Sequence, residues 1–470
     1  MKILLINPVF CEEYRLIKRG QLLVPPINLA YLAGGLERCG HEVEIVDANV
    51  LFLMLDDLRE IIAASGADVV GVTAKTPTYN DALDVLGMTK EVLPAAVTVL
   101  GGPHPTVCPE RCIIHDCCDF LVLGEGEITL TELVSVLESG GDPSAIEGLA
   151  FMQDGTMFKT PPRPLIENLD ELPFPSYQLL PLEKYTLGPQ QLVATGGSHT
   201  VPYMAMMTSR GCPHRCVFCS TYTVFGRHCR LRSPENVFEE ITYLVEKLGV
   251  RRIDFMDDTF TIDRQRVVTL CRMIIETRLD IRWLCQTRVD RVDQELLTLM
   301  RSAGCDLILF GLESGSQQVL NRIKKGVTVE QAKNAVTWTK EAGIAIIGSF
   351  MVGNPGETRE TIRETVDFAR NTDIDSADFN LFTPYPGTDY FEDTYQDDNW
   401  RDFIDPEFNE RVAFVPAGFT SEELALAQRI AYRRFYLRPW YVWRYHLLNL
   451  RRPGVWKYYL RALLALISRV

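Results

Sequence analysis

The chain has 470 residues, a hydrophobic fraction of 46% and a net charge of −14. Such a length exceeds a single ordinary core and predicts about two to four folded units, while the acidic balance argues against general nucleic-acid binding, which needs cations that displace counterions from phosphates. No run of eighteen or more apolar residues occurs, so no membrane-spanning helix is expected.

Met1-Lys2-Ile3-Leu4-Leu5-Ile6 passes straight into a strand-like segment rather than a signal peptide with a cleavage site, and a cytoplasmic location is expected. Apolar runs at Ile3–Ile6, Val43–Val46, Val69–Val72, Thr98–Leu100 and Phe120–Leu123 predict strands, with helices such as Ile27–Arg38, Asp56–Ala64, Asn80–Val92 and Leu130–Leu137 between them. This alternation implies an α/β domain over residues 1–145, a parallel sheet covered on both faces that binds ligands beyond the carboxyl ends of its strands. Thr73 follows the third strand, and two glycine-bearing loops, Gly101-Gly102-Pro103-His104-Pro105-Thr106 and Leu123-Gly124-Glu125-Gly126-Glu127, follow the fourth and fifth. Cys108, Cys112, Cys117 and Cys118 lie nearby; they read either as an auxiliary iron-sulfur site or, more simply, as buried free thiols.

Residues 146–200 are proline-rich and read as a linker, within which Leu149–Phe151 and Met157–Lys159 flank Asp154-Gly155 as a hairpin. A second strand-helix alternation occupies residues 201–395, with strands at Tyr203–Met207, Arg252–Met256, Ile281–Cys285, Leu307–Phe310, Ile344–Met351 and Ser376–Leu381. Six such units match a partial barrel, whose chemistry belongs on the loops after the strands. Residues 396–470 form a helical, basic and aromatic tail with no acidic residue after Glu423. Arg433-Arg434-Phe435-Tyr436 and Trp440-Tyr441-Val442-Trp443-Arg444 interleave cations with rings, and Leu460, Leu463, Leu464 and Ile467 recur at helical spacing. The tail either packs back on the barrel or lies on an anionic membrane surface, which would favour a lipid or other hydrophobic substrate.

The most specific signal follows the first barrel strand: Cys212, Cys216 and Cys219 in a C-x3-C-x2-C loop. Iron-sulfur cubanes normally take four thiolates, so three leave one iron open to substrate. A zinc site completed by His214, His228 or Cys229 is the alternative, although structural zinc prefers paired C-x2-C knuckles and no second knuckle follows. Thirteen cysteines, odd in number and unevenly spread, suit cluster ligands and reduced thiols better than a disulfide framework.

This loop, with Phe218 just before its third cysteine, resembles the signature of the radical S-adenosylmethionine superfamily over about Tyr203 to Glu392. The resemblance implies a TIM-like (β/α)6 barrel and a [4Fe-4S] cluster whose open iron chelates S-adenosylmethionine. It brings Asp257 and Asp258 towards the methionine amino group, with a solvated acidic turn as the plain reading. Arg288 is assigned to the methionine carboxylate or to an ordinary salt bridge. Glu313 and the adjoining Ser314 are assigned to the ribose, with helix capping as the plain reading of Glu313. Ile346, in Ile346-x-Gly348, is assigned to the adenine flank, although the family's glycine two residues before it is Ile344 here.

The first domain resembles the cobalamin-binding branch of that superfamily, which includes carbon methylases and the anaerobic porphyrin-ring cyclase. Thr73, Gly101, Gly102, Gly124 and Gly126 carry the resemblance, which implies a Rossmann-like (flavodoxin-like) cobalamin domain. No D-x-H-x-x-G stretch follows the first strand, so histidine ligation of cobalt, by His104 or otherwise, is not expected. Together the resemblances imply methyl transfer to an unactivated carbon through a 5′-deoxyadenosyl radical and methylcobalamin, with a flavodoxin or ferredoxin as electron donor. Ring closure or oxidation with the same cofactors is the competing expectation. A noncatalytic cobalamin carrier or sensor would leave the cysteine loop unused, and a transfer-RNA methylthiotransferase would need a basic domain that is not evident.

Overall fold

The computed structural model describes residues 1–8, 23–195, 202–394 and 412–443. The first sheet contains β1 (Lys2–Asn7), β2 (Glu42–Asp47), β3 (Val69–Thr73), β4 (Val97–Gly101), β5 (Phe120–Val122), β6 (Leu149–Gln153) and β7 (Thr156–Lys159), in the order β2-β1-β3-β4-β5-β6-β7. β1 to β5 are parallel in the flavodoxin-like order, which places the topological switch between β1 and β3. Ile3 and Leu5 of β1 pack on the side of helix Ile27–Arg38, whereas Leu4 and Ile6 pack against helices Leu55–Ser65 and Tyr79–Val92. A strand buried on both faces reads as a continuous apolar run for this reason.

The hairpin lies where Asp154-Gly155 marks it, both residues having positive φ (51° and 75°), as a tight turn between twisted strands requires. Its β6 adds antiparallel to β5, so the hairpin extends the first sheet.

The second sheet contains β8 (Tyr203–Met206), β11 (Arg252–Phe255), β12 (Arg282–Thr287), β13 (Cys305–Glu313), β14 (Ala345–Val352) and β15 (Ser376–Leu381), all parallel and adjacent in chain order. Between β8 and β11, the two-residue strands β9 (Ser209–Arg210) and β10 (Arg230–Leu231) pair antiparallel and draw together the two ends of the cysteine loop. The proline-rich segment ties both halves together: Tyr185 donates to Asp47 at the end of β2 (2.9 Å), and Tyr177 donates to Glu240 on the first barrel helix, Pro234–Leu248.

Helix Ser421–Tyr436, opened by the capping box of Thr420 and Glu423, packs along β15. Tyr436 and Tyr432 place their hydroxyls 3.0 and 3.2 Å from the amides of Ala377 and Phe379, and Gln428 donates to the carbonyl of Phe379 at 2.7 Å. Side chains of the tail thus satisfy the free edge of the barrel sheet. Residues 444–470, with Arg444, Leu460, Leu463, Leu464 and Ile467, lie outside the described residues. Among the described residues no helix is long and apolar enough to cross a membrane.

Candidate active site

A cavity of about 620 Å³ lies between the carboxyl ends of the two sheets. Thr73, Gly101, Gly102, Gly124 and Gly126 line it from the first sheet, and Met207, Ser220, Thr221, Met256 and Asp258 from the barrel. Gly102 has φ 101°, and a Cβ there would fall 2.8 Å from the Ala74 carbonyl and 2.9 Å from Thr73 Oγ1. Only glycine keeps that turn open. Asn7, Asn28, Asp47, Asn49 and Lys75 also face the cavity; sequence reading missed them because isolated polar residues at strand ends and helix starts carry no local pattern.

The cysteine loop is held from several sides. Gly211 (φ 89°) would bring a Cβ within 2.3 Å of the His228 carbonyl, the Val217 amide donates to Ile323 O (3.1 Å), and the Tyr390 amide donates to Val217 O (3.0 Å). Cys216 is buried, while Cys212 and Cys219 are half-buried; none is in a disulfide. Burial pushes the Cys216 thiol up, and Lys325 and Arg288 pull it down. Three thiols on one loop beside two cations suit the donor set of a cluster whose thiolates need compensating charge. Among the described residues, no three His, Cys, Asp or Glu side chains gather around one point as a single metal ion needs; a cubane instead distributes its thiolates over separate irons.

The paired aspartates diverge. Asp257 is buried and accepts from the Thr208 amide (2.7 Å) and Ser209 Oγ (2.8 Å), with Arg266 3.4 Å away. It therefore fixes the start of the cysteine loop. Asp258 lines the cavity, accepts from Thr221 Oγ1 at 3.1 Å, and is pushed up to about 6 by desolvation.

Glu313 ends β13 with φ 60°, a sparsely populated conformation for a side-chain-bearing residue. Its carboxylate pairs with Lys325 at 2.7 Å, whose ammonium lies 5.8 Å from the centre of the Phe218 ring. Ser316 is the cap of the next helix, so Glu313 is not a capping residue. Ser314 is turned into the loop, hydrogen-bonded to Thr365 Oγ1 (2.7 Å). Arg288 pairs with Asp290 (2.9 Å) and donates to the Lys325 carbonyl (2.9 Å), so the ordinary salt bridge is present.

Ile346 needs correction as an adenine-flanking residue. It is the second residue of β14, at the end away from the cavity, and its side chain is fully buried in the core. The mouth end of that strand is Met351-Val352, followed by Gly353-Asn354.

A buried ion network joins the halves. Arg210, two residues before Cys212, donates to Glu125 (2.8 Å) and Glu127 (2.5 Å) of the glycine loop, and Arg230 donates to the other oxygen of Glu125 (2.7 Å). Burial alone would raise Glu125, yet Arg230 and Arg210 outweigh it and hold the carboxyl below its ordinary range.

Cys108 and Cys112 are pushed by burial up to about 11 and about 12; Cys112 and Cys118 belong to the apolar core on the far face of the first sheet. His104 is buried against Tyr79 (ring centres 4.3 Å apart) and pushed down to about 4. Among the described residues no histidine lines the cavity.

Residues 206–369 match the Radical SAM superfamily, and residues 16–134 match the B12 binding domain. An uncharacterized methyltransferase of Pyrococcus horikoshii is 40% identical over 93% of this chain and 93% of its own. The chain belongs to the cobalamin-binding branch of the radical S-adenosylmethionine superfamily. It is therefore an enzyme, and its relatives also include the anaerobic magnesium-protoporphyrin IX monomethyl ester cyclase of Rubrivivax gelatinosus, 35% identical over 88% of this enzyme and 74% of the cyclase. In fold the enzyme is similar to the radical S-adenosylmethionine methyltransferase TsrM of Kitasatospora setae, whose structure holds cobalamin and a [4Fe-4S] cluster: TM-score 0.67, 21% identity, 83% of this chain and 73% of that one.

Proposed function

We propose that the protein is a cobalamin-dependent radical S-adenosylmethionine methyltransferase acting on an unactivated carbon. One observation carries the reading: the glycine loops of the first sheet and the loops beside the cysteines open onto one shared cavity. When bound there, a [4Fe-4S] cluster, S-adenosylmethionine and cobalamin supply radical initiation and methyl carriage, which no side chain provides. Cys212, Cys216 and Cys219 would hold the cluster. Thr73, Gly101, Gly102, Gly124 and Gly126 admit the flat corrin, and Asp258 offers its carboxylate to the methionine ammonium. Glu313, released from Lys325, would accept the ribose hydroxyl protons, Phe218 flanks the cluster, and the Met351–Asn354 end of β14 takes the adenine. Met207, Met256, Val224 and Phe225 line the gap between the halves with apolar surface, which limits water around a reactive radical.

On this reading residues 1–145 are the cobalamin domain, 146–200 the linker, 201–395 the radical core and 396–470 the tail. A small-molecule substrate and a flavodoxin or ferredoxin electron donor follow, in a cytoplasmic enzyme. The tail also presents Leu426, Ile430, Leu437, Trp440 and Trp443 to solvent near Arg429, Arg433 and Arg434, a composition suited to peripheral contact with an anionic membrane. The relationship to the porphyrin cyclase favours, as a second reading, ring closure without methyl transfer. Anaerobically reconstituted enzyme, supplied with native extract and methyl-labelled S-adenosylmethionine, should yield a labelled product one methyl group heavier. An unlabelled product with lost hydrogens would establish the cyclase reading instead.

A further inference from the structure

Among the described residues, six charged side chains line the cavity: Asp47, Lys75, Glu125, Glu127, Arg210 and Asp258. Five of them have partners. Asp47 accepts from Asn7 (2.8 Å), Tyr185 (2.9 Å) and the Asn49 amide (3.2 Å); Glu125 and Glu127 are paired with Arg210; Asp258 accepts from Thr221. Lys75 is the exception, having no ion pair among the described residues.

Its backbone is fixed where a ligand on such a sheet belongs. Lys75 stands two residues beyond the end of β3, at the switch point, and its amide donates to Thr78 Oγ1 at 3.0 Å. The preceding Ala74 exchanges hydrogen bonds with the glycine loop, its amide donating to Gly101 O (2.8 Å) and its carbonyl accepting from the His104 amide (3.1 Å). Asn7, Asn28 and Asn49 surround this end of the cavity with neutral amides. Lys75 is an exposed side chain on the wall of the cavity, and the protein packed around that wall lowers its pKa by desolvation. A cation with no counter-ion among the described residues, standing where a ligand binds, is placed to meet a negatively charged group of that ligand.

Resting on the cobalamin reading, we propose that Lys75 binds the phosphodiester of the cobalamin nucleotide tail, so that the enzyme selects the complete cofactor over its tail-less corrin. The rest of the corrin periphery is uncharged carboxamide, and the phosphodiester is the tail's one anionic group.

The test is equilibrium binding of hydroxocobalamin and of cobinamide, which lacks phosphate, ribose and base, to cluster-loaded enzyme. Wild type should bind cobalamin at least about tenfold more tightly than cobinamide, the scale of one charge-assisted hydrogen bond. Lys75→Gln should bind both at the wild-type cobinamide level with unchanged iron content, and Lys75→Arg should restore the preference. Equal wild-type affinities overturn the assignment without any variant, as does a Lys75→Gln that keeps its preference or weakens both ligands alike. A Lys75→Gln that instead loses affinity only for S-adenosylmethionine would assign the lysine to that ligand's carboxylate and also overturn it. Wild type that binds neither corrinoid refutes the cobalamin reading itself.

Discussion

Asp257 and Asp258 show how little adjacency says about role. The first is consumed by Thr208, Ser209 and Arg266; the second faces the cavity. Asp257→Asn should therefore cost about 2–4 kcal/mol in urea unfolding, because it leaves Arg266 buried beside a neutral group, and should lower cluster content. Asp258→Asn should change stability by less than about 1 kcal/mol and weaken S-adenosylmethionine binding about tenfold, read by equilibrium dialysis. Equal behaviour of the two variants would refute the division. From sequence the pair was legible only as two acids at a strand end, since which one turns inward is decided by Thr208 and Arg266, 49 and 9 residues from Asp257. Lys325 was missed altogether: its partners, Glu313 and Phe218, come from another strand and another loop.

Glu357 makes the stability of the fold depend on pH. Burial pushes it up to about 7, although the amides of Asn354 and Gly353 oppose the shift. Its folded pKa lies above the unfolded value of 4.5, so its contribution is complete below that value and is lost as pH rises through about 7. Between about pH 5 and about pH 8 the wild type should lose about 1–3 kcal/mol relative to Glu357→Gln, measured by denaturant unfolding. Parallel pH profiles for the two proteins would remove the assignment.

At the scale of elements, the tail helix completes the barrel by hydrogen bonding as well as by packing. Tyr436→Phe removes the hydroxyl that serves Ser376 and both backbone groups of Ala377. The variant should be destabilised by about 1–3 kcal/mol, whereas Trp440→Ala, at an exposed ring, should change stability by about 0.5 kcal/mol or less. Thermal unfolding separates them, and equal losses would contradict the edge-capping role. The strands of both sheets were readable because parallel strands buried on both faces leave long apolar runs. β9 and β10 were not, because two residues carry no periodicity, yet their pairing closes the base of the cysteine loop. Ile346 illustrates the opposite case: a motif placed it on a strand but near the amino end, whereas the carboxyl end that feeds the functional loops is Met351-Val352.

For the whole molecule, the cavity joins loops separated by more than a hundred residues, and the Arg210-Glu125-Arg230 network ties the two halves around it. Glu125→Gln should cost about 3–5 kcal/mol, since Arg230 loses its buried counter-charge and Arg210 keeps only Glu127, and should reduce cobalamin retention and iron content together. Loss of only one cofactor would show that the network does not couple the halves. The general two-domain plan was legible from alternating elements, whereas the network was not, because it depends on how two independently readable domains meet.

The proposed chemistry requires three cysteines to hold a four-iron cluster with one iron open to S-adenosylmethionine. Electron paramagnetic resonance of the reduced, anaerobically reconstituted enzyme, with and without S-adenosylmethionine, tests it most directly. A [4Fe-4S]⁺ signal that shifts on addition of S-adenosylmethionine and disappears in Cys216→Ala is predicted. A signal unmoved by S-adenosylmethionine, or zinc in place of iron, would exclude an open-iron cluster.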